Sequence, residues 1–163
     1  MNNDILIAAP LRLALSWDRD ALVEITLRWS GPGEPESTDV PPRARPFLAA
    51  LKSLVRGEAT EWPLPPLDMD TLTPFSRQVL ETLRREVGQG RVTTYGRLAA
   101  LAGRPLAARA VGRVMASNRW PLVFPCHRVL GSGGKLTGFS GAGLEMKEYL
   151  LKQEKALPAN WKG

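Results

Sequence analysis

Cysteine and histidine are almost missing from this 163-residue chain, which holds one of each, Cys126 and His127. A single thiol closes no internal disulfide, builds no multi-cysteine zinc site, and is most at home in a reducing compartment. Long apolar runs are missing too, and nothing approaches the roughly 18 uninterrupted residues of a membrane span. The run Ile5 to Leu15 is broken by Pro10 and Arg12, and it follows Asp4 where a signal peptide carries positive charge, so it reads as structure and not as targeting. Repeats and low-complexity tracts do not occur. The expectation is a soluble intracellular protein with no membrane partner.

What is present suits an ordinary globular chain: 44% hydrophobic and 23% charged residues. That is one domain or two small ones, able to bury roughly 70% of the unfolded surface without disulfides or metal. Charge is uneven. Residues 1 to 70 carry 7 Lys/Arg against 11 Asp/Glu, whereas residues 71 to 163 carry 15 against 5. The net charge of +6 therefore belongs to the C-terminal part. A basic part suits nucleic acid, an anionic membrane or an acidic partner, and charge alone does not choose among them.

Leu11 to Trp17 and Ala21 to Trp29, separated by Asp18-Arg19-Asp20, read as a β-hairpin in which Val23, Ile25 and Leu27 alternate toward one face. A Gly/Pro-rich loop from Ser30 to Pro42 follows. Phe47, Leu48, Leu51, Leu54 and Val55 then recur at helical spacing. Trp62 to Met69, with three prolines, reads as extended linker and places a domain boundary near residue 70. Beyond it, Thr73 caps and Pro74 opens a helix with the stripe Phe75, Val79, Leu80, Leu83 and Val87, stopped by Gly88 and Gly90. Thr94 caps a short helix from Tyr95 to Ala102, Gly103 ends it, and Pro105 opens another that runs to about Ser117. Two short helices across a glycine turn predict a helix-turn-helix. On the second, Leu106, Ala110, Val111 and Val114 share one side, and Ala108, Arg109 and Gly112 the other. A face of small residues plus arginine lets a backbone press close to a groove, or packs as plainly against its own protein.

The only cysteine stands beside the only histidine in Pro125-Cys126-His127-Arg128-Val129, approached by Leu122-Val123-Phe124. That adjacency sets Cys126 apart from a small buried hydrophobe. A free thiol of pKa about 8.5 is only a few per cent ionised at pH 7, so nucleophilic use calls for help. Neighbouring His and Arg are candidates for lowering that pKa, two units raising the thiolate fraction roughly thirtyfold. In an extended segment adjacent side chains diverge, so contact between Cys126 and His127 needs a turn or a bridging water. A carboxylate from elsewhere is expected to hold the imidazole.

These residues resemble the active-site motif of the O6-alkylguanine-DNA alkyltransferases, the methylated-DNA–protein-cysteine methyltransferases. Thr73-Pro74-Phe75, Thr94-Tyr95, Leu98 to Gly103, Ala107 to Gly112, Asn118, and Lys147 to Leu151 with Glu154 fall in the family's order. The resemblance covers residues 71 to 155 strongly and the N-terminal part in outline. It implies an α+β fold: a ribonuclease-H-like N-terminal scaffold over 1–70, and a mostly helical part over 71–163 that binds DNA and accepts the alkyl group.

By that resemblance Cys126 takes an alkyl group from O6 of guanine irreversibly, in one turnover. His127 accepts the thiol proton through a water, Glu154 orients the imidazole, and Asn118 braces the turn. Tyr95 donates toward N3 of the guanine, and Arg109 fills the stack vacated by a flipped base, with Ala108, Gly112 and Arg113 along the minor groove. Pro121, the Val129 carbonyl and the Ser140 amide shape the pocket. The implied partner is double-stranded DNA containing O6-alkylguanine, bound by a monomer without cofactor or metal, in the cytoplasm at the nucleoid or in a eukaryotic nucleus. Two departures stand out. Arg119-Trp120 replaces a commoner small or proline-containing sequence, a change expected at the pocket entrance, and Ser140 to Leu144 runs one residue long. Three rivals remain: a non-enzymatic lesion sensor, disfavoured by the presence of Cys126; a helix-turn-helix regulator, with only Arg109 and Arg113 to read bases; and a cysteine hydrolase, which needs an oxyanion hole.

Overall fold

Strict alternation of apolar residues builds the first element. Leu11, Leu13, Leu15 and Trp17 are buried while the residues between them are partly exposed, the period of a sheet with one covered face. In the computed structural model, which describes residues 1–139 and 143–157, β1 (Asn2–Ala8), β2 (Leu11–Asp18) and β3 (Ala21–Trp29) form an antiparallel meander in that order. Leu6, Leu13 and Leu27 share one register line, and Asp4, Leu15 and Ile25 another. The hairpin expected over 11–29 is there, but Val23 does not share the covered face with Ile25 and Leu27: the register shifts between Ser16 and Trp17, so Leu22 pairs with Trp17 and is buried while Val23 is only partly covered. The apolar run before it is a third strand, because Ala9-Pro10 is the turn between β1 and β2 and a proline without an N–H is tolerated there. Helix α1 (Arg45–Val55) buries Phe47, Leu48, Leu51 and Leu54, and Phe47 meets Trp17 edge-on at 6.3 Å between ring centroids.

The segment expected as linker is laid on the sheet. Leu22 N donates to Pro66 O at 2.8 Å and Asp68 N donates to Leu22 O at 3.1 Å, a parallel bridge along β3. Helix α2 (Pro74–Glu86) then starts where its cap predicts, with Ser76 N donating to Thr73 Oγ1 at 3.1 Å and proline in the first turn. Helix α3 (Tyr95–Leu101) is capped in the same way by Thr94, which accepts from Arg97 N. Gly103, at φ 82°, takes the left-handed position just past its end.

Helix α4 (Ala108–Ala116) starts three residues later than Pro105 suggests. Residues 104–107 instead close a turn, Ala107 N donating to Arg104 O at 3.0 Å. Proline with φ near −65° fits the second position of such a turn as readily as a first helical turn, so the local signal was ambiguous. Leu106, expected on the buried side, lies outside the helix and is fully exposed, while Val111, Val114 and Met115 carry the packing. A two-residue parallel pair of β4 (Thr93–Thr94) with β5 (Val129–Leu130) draws the start of α3 alongside the segment leaving Cys126. It is too short for periodicity to reveal. Helix α5 (Gly143–Gln153) closes the described chain with Met146, Leu150 and Leu151 buried. One apolar cluster runs from Leu6 to Leu150 without a break at residue 70.

Candidate active site around Cys126

Every residue from Pro121 to Leu130 is buried, so the reactive segment is held as core and not as a mobile loop. Asn118 organises its entry. Its Nδ2 donates to Phe124 O at 2.9 Å and its Oδ1 accepts from Trp120 N at 3.0 Å. Between these contacts Leu122 adopts φ 77°, a left-handed conformation that costs a branched residue on the order of 1 kcal/mol and persists only where its surroundings enforce it. The sequence suggested Arg119-Trp120 at the pocket entrance. The structure turns both toward the N-terminal sheet. Trp120 is fully buried and its Nε1 donates to Leu22 O at 2.9 Å, while Arg119 stacks on the indole at 4.6 Å and donates to Asp68 O.

Cys126–Arg128 form a 3-10 turn rather than an extended segment. His127 lies buried with Nε2 2.5 Å from Glu154 Oε1, while Nδ1 has no hydrogen-bond partner among the described residues. A carboxylate on Nε2 fixes the tautomer: the proton sits on Nε2 and the free lone pair on Nδ1. Burial pushes the imidazole below its ordinary pKa, against the opposing pull of Glu154, so it is a neutral base at pH 7. Burial alone would raise Glu154, but hydrogen bonds and charge from His127 and Arg128 outweigh it and hold the carboxyl at about 2. With His127 neutral, the cation that keeps Glu154 ionised is Arg128, bonded to it through Nε and Nη2 and to Val87 O through Nη1.

Arg128 therefore faces Glu154, and the expected lowering of the thiol pKa by neighbouring His and Arg is not what this site does. Burial raises the Cys126 thiol above its usual value, and the opposing influences are a hydrogen bond from Asn118 and the charge of Lys147. The resting nucleophile is a thiol beside a neutral base. Lys147 is the functional residue that sequence reasoning passed over. It is fully buried, and its Nζ donates to Val129 O at 2.6 Å and Thr137 O at 2.8 Å. Burial lowers its pKa to about 8, with Cys126 opposing that shift. A signal existed, because Lys147, Leu151 and Glu154 share one helical stripe at i, i+4 and i+7, and a lysine on an apolar stripe asks for a partner.

Cys126 lies at a cavity of about 410 Å³ lined by Tyr95, Gly112, Met115, Ala116, Thr137, Gly138 and Phe139. Tyr95 OH accepts from Thr137 Oγ1 at 3.1 Å, tying α3 to the loop over the cavity. A Cβ on Gly112 would stand an ordinary 3.9 Å from the Tyr95 ring, so internal packing does not demand glycine there; its bareness widens the cavity instead. Of the expected pocket residues, Val129 offers its carbonyl to Lys147 and Pro121 borders a different cleft, against β3. Ser140 falls outside the described residues. Beside the cavity mouth α4 presents half-buried Ala108 and exposed Arg109 and Arg113, with Arg91, Arg97 and Arg104 also exposed. Among the described residues none of these five arginines has a carboxylate partner. No cluster of metal-ligating side chains is present among them either.

Comparison with known proteins points one way. Residues 74–156 match the family model described as 6-O-methylguanine DNA methyltransferase, DNA binding domain. The human methylated-DNA–protein-cysteine methyltransferase is 38% identical over 157 residues, covering 88% of this chain and 75% of that protein. The enzyme of that name from Salmonella typhimurium is 51% identical over 82 residues, 50% of this chain and 47% of its own length; the rat enzyme is 51% identical over 80 residues and 38% of its length. The latter two matches thus span less than half of those relatives. Among solved structures, the O6-methylguanine methyltransferase of Mycobacterium tuberculosis superposes with a TM-score of 0.73 at 31% identity, covering 98% of this chain and 96% of that one. A structure of that protein in complex with DNA superposes equally well, at 32% identity.

Proposed function

This chain belongs to the 6-O-methylguanine DNA methyltransferase family, and from that premise we propose that it repairs DNA by moving the alkyl group of O6-alkylguanine onto Cys126. The observation that carries the reading is a buried cysteine at a 410 Å³ cavity, beside a neutral imidazole held by an ionised carboxylate.

The Cys126 thiol attacks the alkyl carbon in line with the bond to O6. A carbon–sulfur bond forms, the carbon–oxygen bond breaks, and its electron pair leaves with the purine. His127 Nδ1 takes the thiol proton through a water, Glu154 and Arg128 steady the imidazolium that results, and Lys147 counters the developing thiolate charge. Tyr95 gives a proton toward N3, so that the base departs neutral. A thioether has no leaving group that water displaces under these conditions, so each molecule turns over once.

A target inside a duplex reaches the cavity only by leaving the stack, at a cost of a few kcal/mol that is least for a badly paired lesion. The small outer face of α4 lets the backbone approach the minor groove, Arg109 replaces the extruded base, and the exposed arginines meet phosphates. In this reading residues 71–163 carry the DNA contacts and chemistry, residues 1–70 support them, and a monomer suffices.

Intact mass spectrometry after incubation with a duplex containing O6-methylguanine tests the reading. The expected result is a stoichiometric gain of one methylene mass, absent in Cys126→Ser. Tight binding of the duplex without any gain would replace alkyl transfer by lesion sensing.

A further inference from the structure

Glu154 lies one residue beyond the end of α5, where helices ordinarily fray, yet its carboxylate must stay fixed to hold His127. Backbone bonds account for part of this, Glu154 N donating to Leu150 O at 3.0 Å and Ala156 N to Leu151 O at 2.8 Å. The neighbouring side chain points the other way. Gln153 reaches across the molecule to the C-terminus of α1, and its Nε2 donates to Leu54 O at 3.1 Å and Val55 O at 2.7 Å. Carbonyls at a helix C-terminus lack intrahelical donors and carry the negative end of the helix dipole, so an N–H donor there is favourable. The two contacts also fix the amide's orientation, since its oxygen in that place would face two other oxygens. The backbone is lodged as well as tethered: a Cβ on Gly57 would stand 3.7 Å from Gln153 O, and one on Gly90 3.5 Å from Glu154 O.

We propose that Gln153 is a positioning residue for alkyl transfer: through its double hydrogen bond, the end of α1 sets where Glu154 sits and so how His127 is oriented. The inference rests on the alkyl-transfer reading above. It makes the N-terminal part a working component of the site, since a contact spanning 98 and 99 positions of chain aims the carboxylate. The charged groups that act on His127 are Glu154, Arg128 and Lys147, and of these only Glu154 holds the imidazole by hydrogen bond.

The test follows single-turnover methyl transfer by intact mass, from pH 5 to 9, in full-length Gln153→Leu and Gln153→Lys beside the unsubstituted chain. Leucine keeps the volume and loses the donor; lysine keeps a donor that reaches both carbonyls. In Gln153→Leu the rate at saturating duplex is expected to fall several-fold with duplex affinity unchanged. The acid limb is expected to move to lower pH, because an imidazolium with a displaced Glu154 gives up its proton more readily. Gln153→Lys is expected to restore most of both. If Gln153→Leu does not fold, as thermal melts will show, Gln153→Ala makes the same comparison. An unchanged rate, a slower rate with an unshifted pH profile, or equal losses with leucine and lysine each overturn the proposal. Absence of transfer in the unsubstituted chain overturns the alkyl-transfer reading instead.

Discussion

At the scale of single residues, Glu154 couples chemistry to stability. Its carboxyl is held at about 2 against an ordinary 4.5, so the native state binds that proton more weakly than the unfolded chain does. The stabilisation is fully present above pH 4.5 and is lost as pH falls toward 2; a shift of that size is worth on the order of 3 kcal/mol. Thermal melts across pH 2 to 6 should show midpoints falling through this window. In Glu154→Gln the fall should flatten, with a lower midpoint at neutral pH because Arg128 keeps its buried charge without its carboxylate. Cys126 and His127 were legible because each is the only residue of its kind and they are adjacent. Glu154, 27 positions away, was named only through family resemblance, since composition and spacing do not tell one glutamate from another. The sense of the thiol shift was not legible at all, because it depends on burial.

At the scale of elements, α4 and the turn before it gather the exposed arginines Arg104, Arg109 and Arg113, which have no carboxylate partner among the described residues. If Arg109 fills the stack of a flipped base, Arg109→Ala should slow transfer from duplex at least tenfold and leave transfer from free O6-methylguanine base unchanged. Equal slowing on both substrates would place Arg109 in the chemistry instead. If Arg104 and Arg113 each meet a phosphate, Arg104→Ala and Arg113→Ala should each lower the slope of log affinity against log salt by about 1. Titrations in 50 to 200 mM salt measure that slope. The start of α2 and both ends of α3 were readable to within a residue, because Thr73, Thr94 and Gly103 act on the backbone next to them. The start of α4 was not, since Pro105 satisfies a turn and a helix equally.

At the scale of the molecule, Trp120 joins the reactive segment to the sheet. It fills the core between Asn118 and β3 and spends its indole N–H on Leu22 O. Trp120→Ala should therefore cost about 3 to 5 kcal/mol, the range for deleting a large buried aromatic. Because one apolar cluster spans both parts, unfolding is expected in one transition, and amides of β2 and α3 should lose hydrogen-exchange protection together. Two separate transitions would show that residue 70 divides folding units as well as charge.

What the sequence determined by itself is what short-range physics controls: the hairpin of β2 and β3, the capped starts of α2 and α3, the charge division at residue 70, and the pairing of the only thiol with the only imidazole. The tertiary structure decided what depends on partners distant in the chain. Lys147 was buried with its ammonium on Val129 O, Arg128 turned to Glu154, Trp120 left the pocket for the sheet, and Gln153 took hold of α1. Each of those outcomes turns on desolvation or on a hydrogen bond across 18 or more positions. Burial and long-range contact are properties of a folded chain, and no local run of residues carries them.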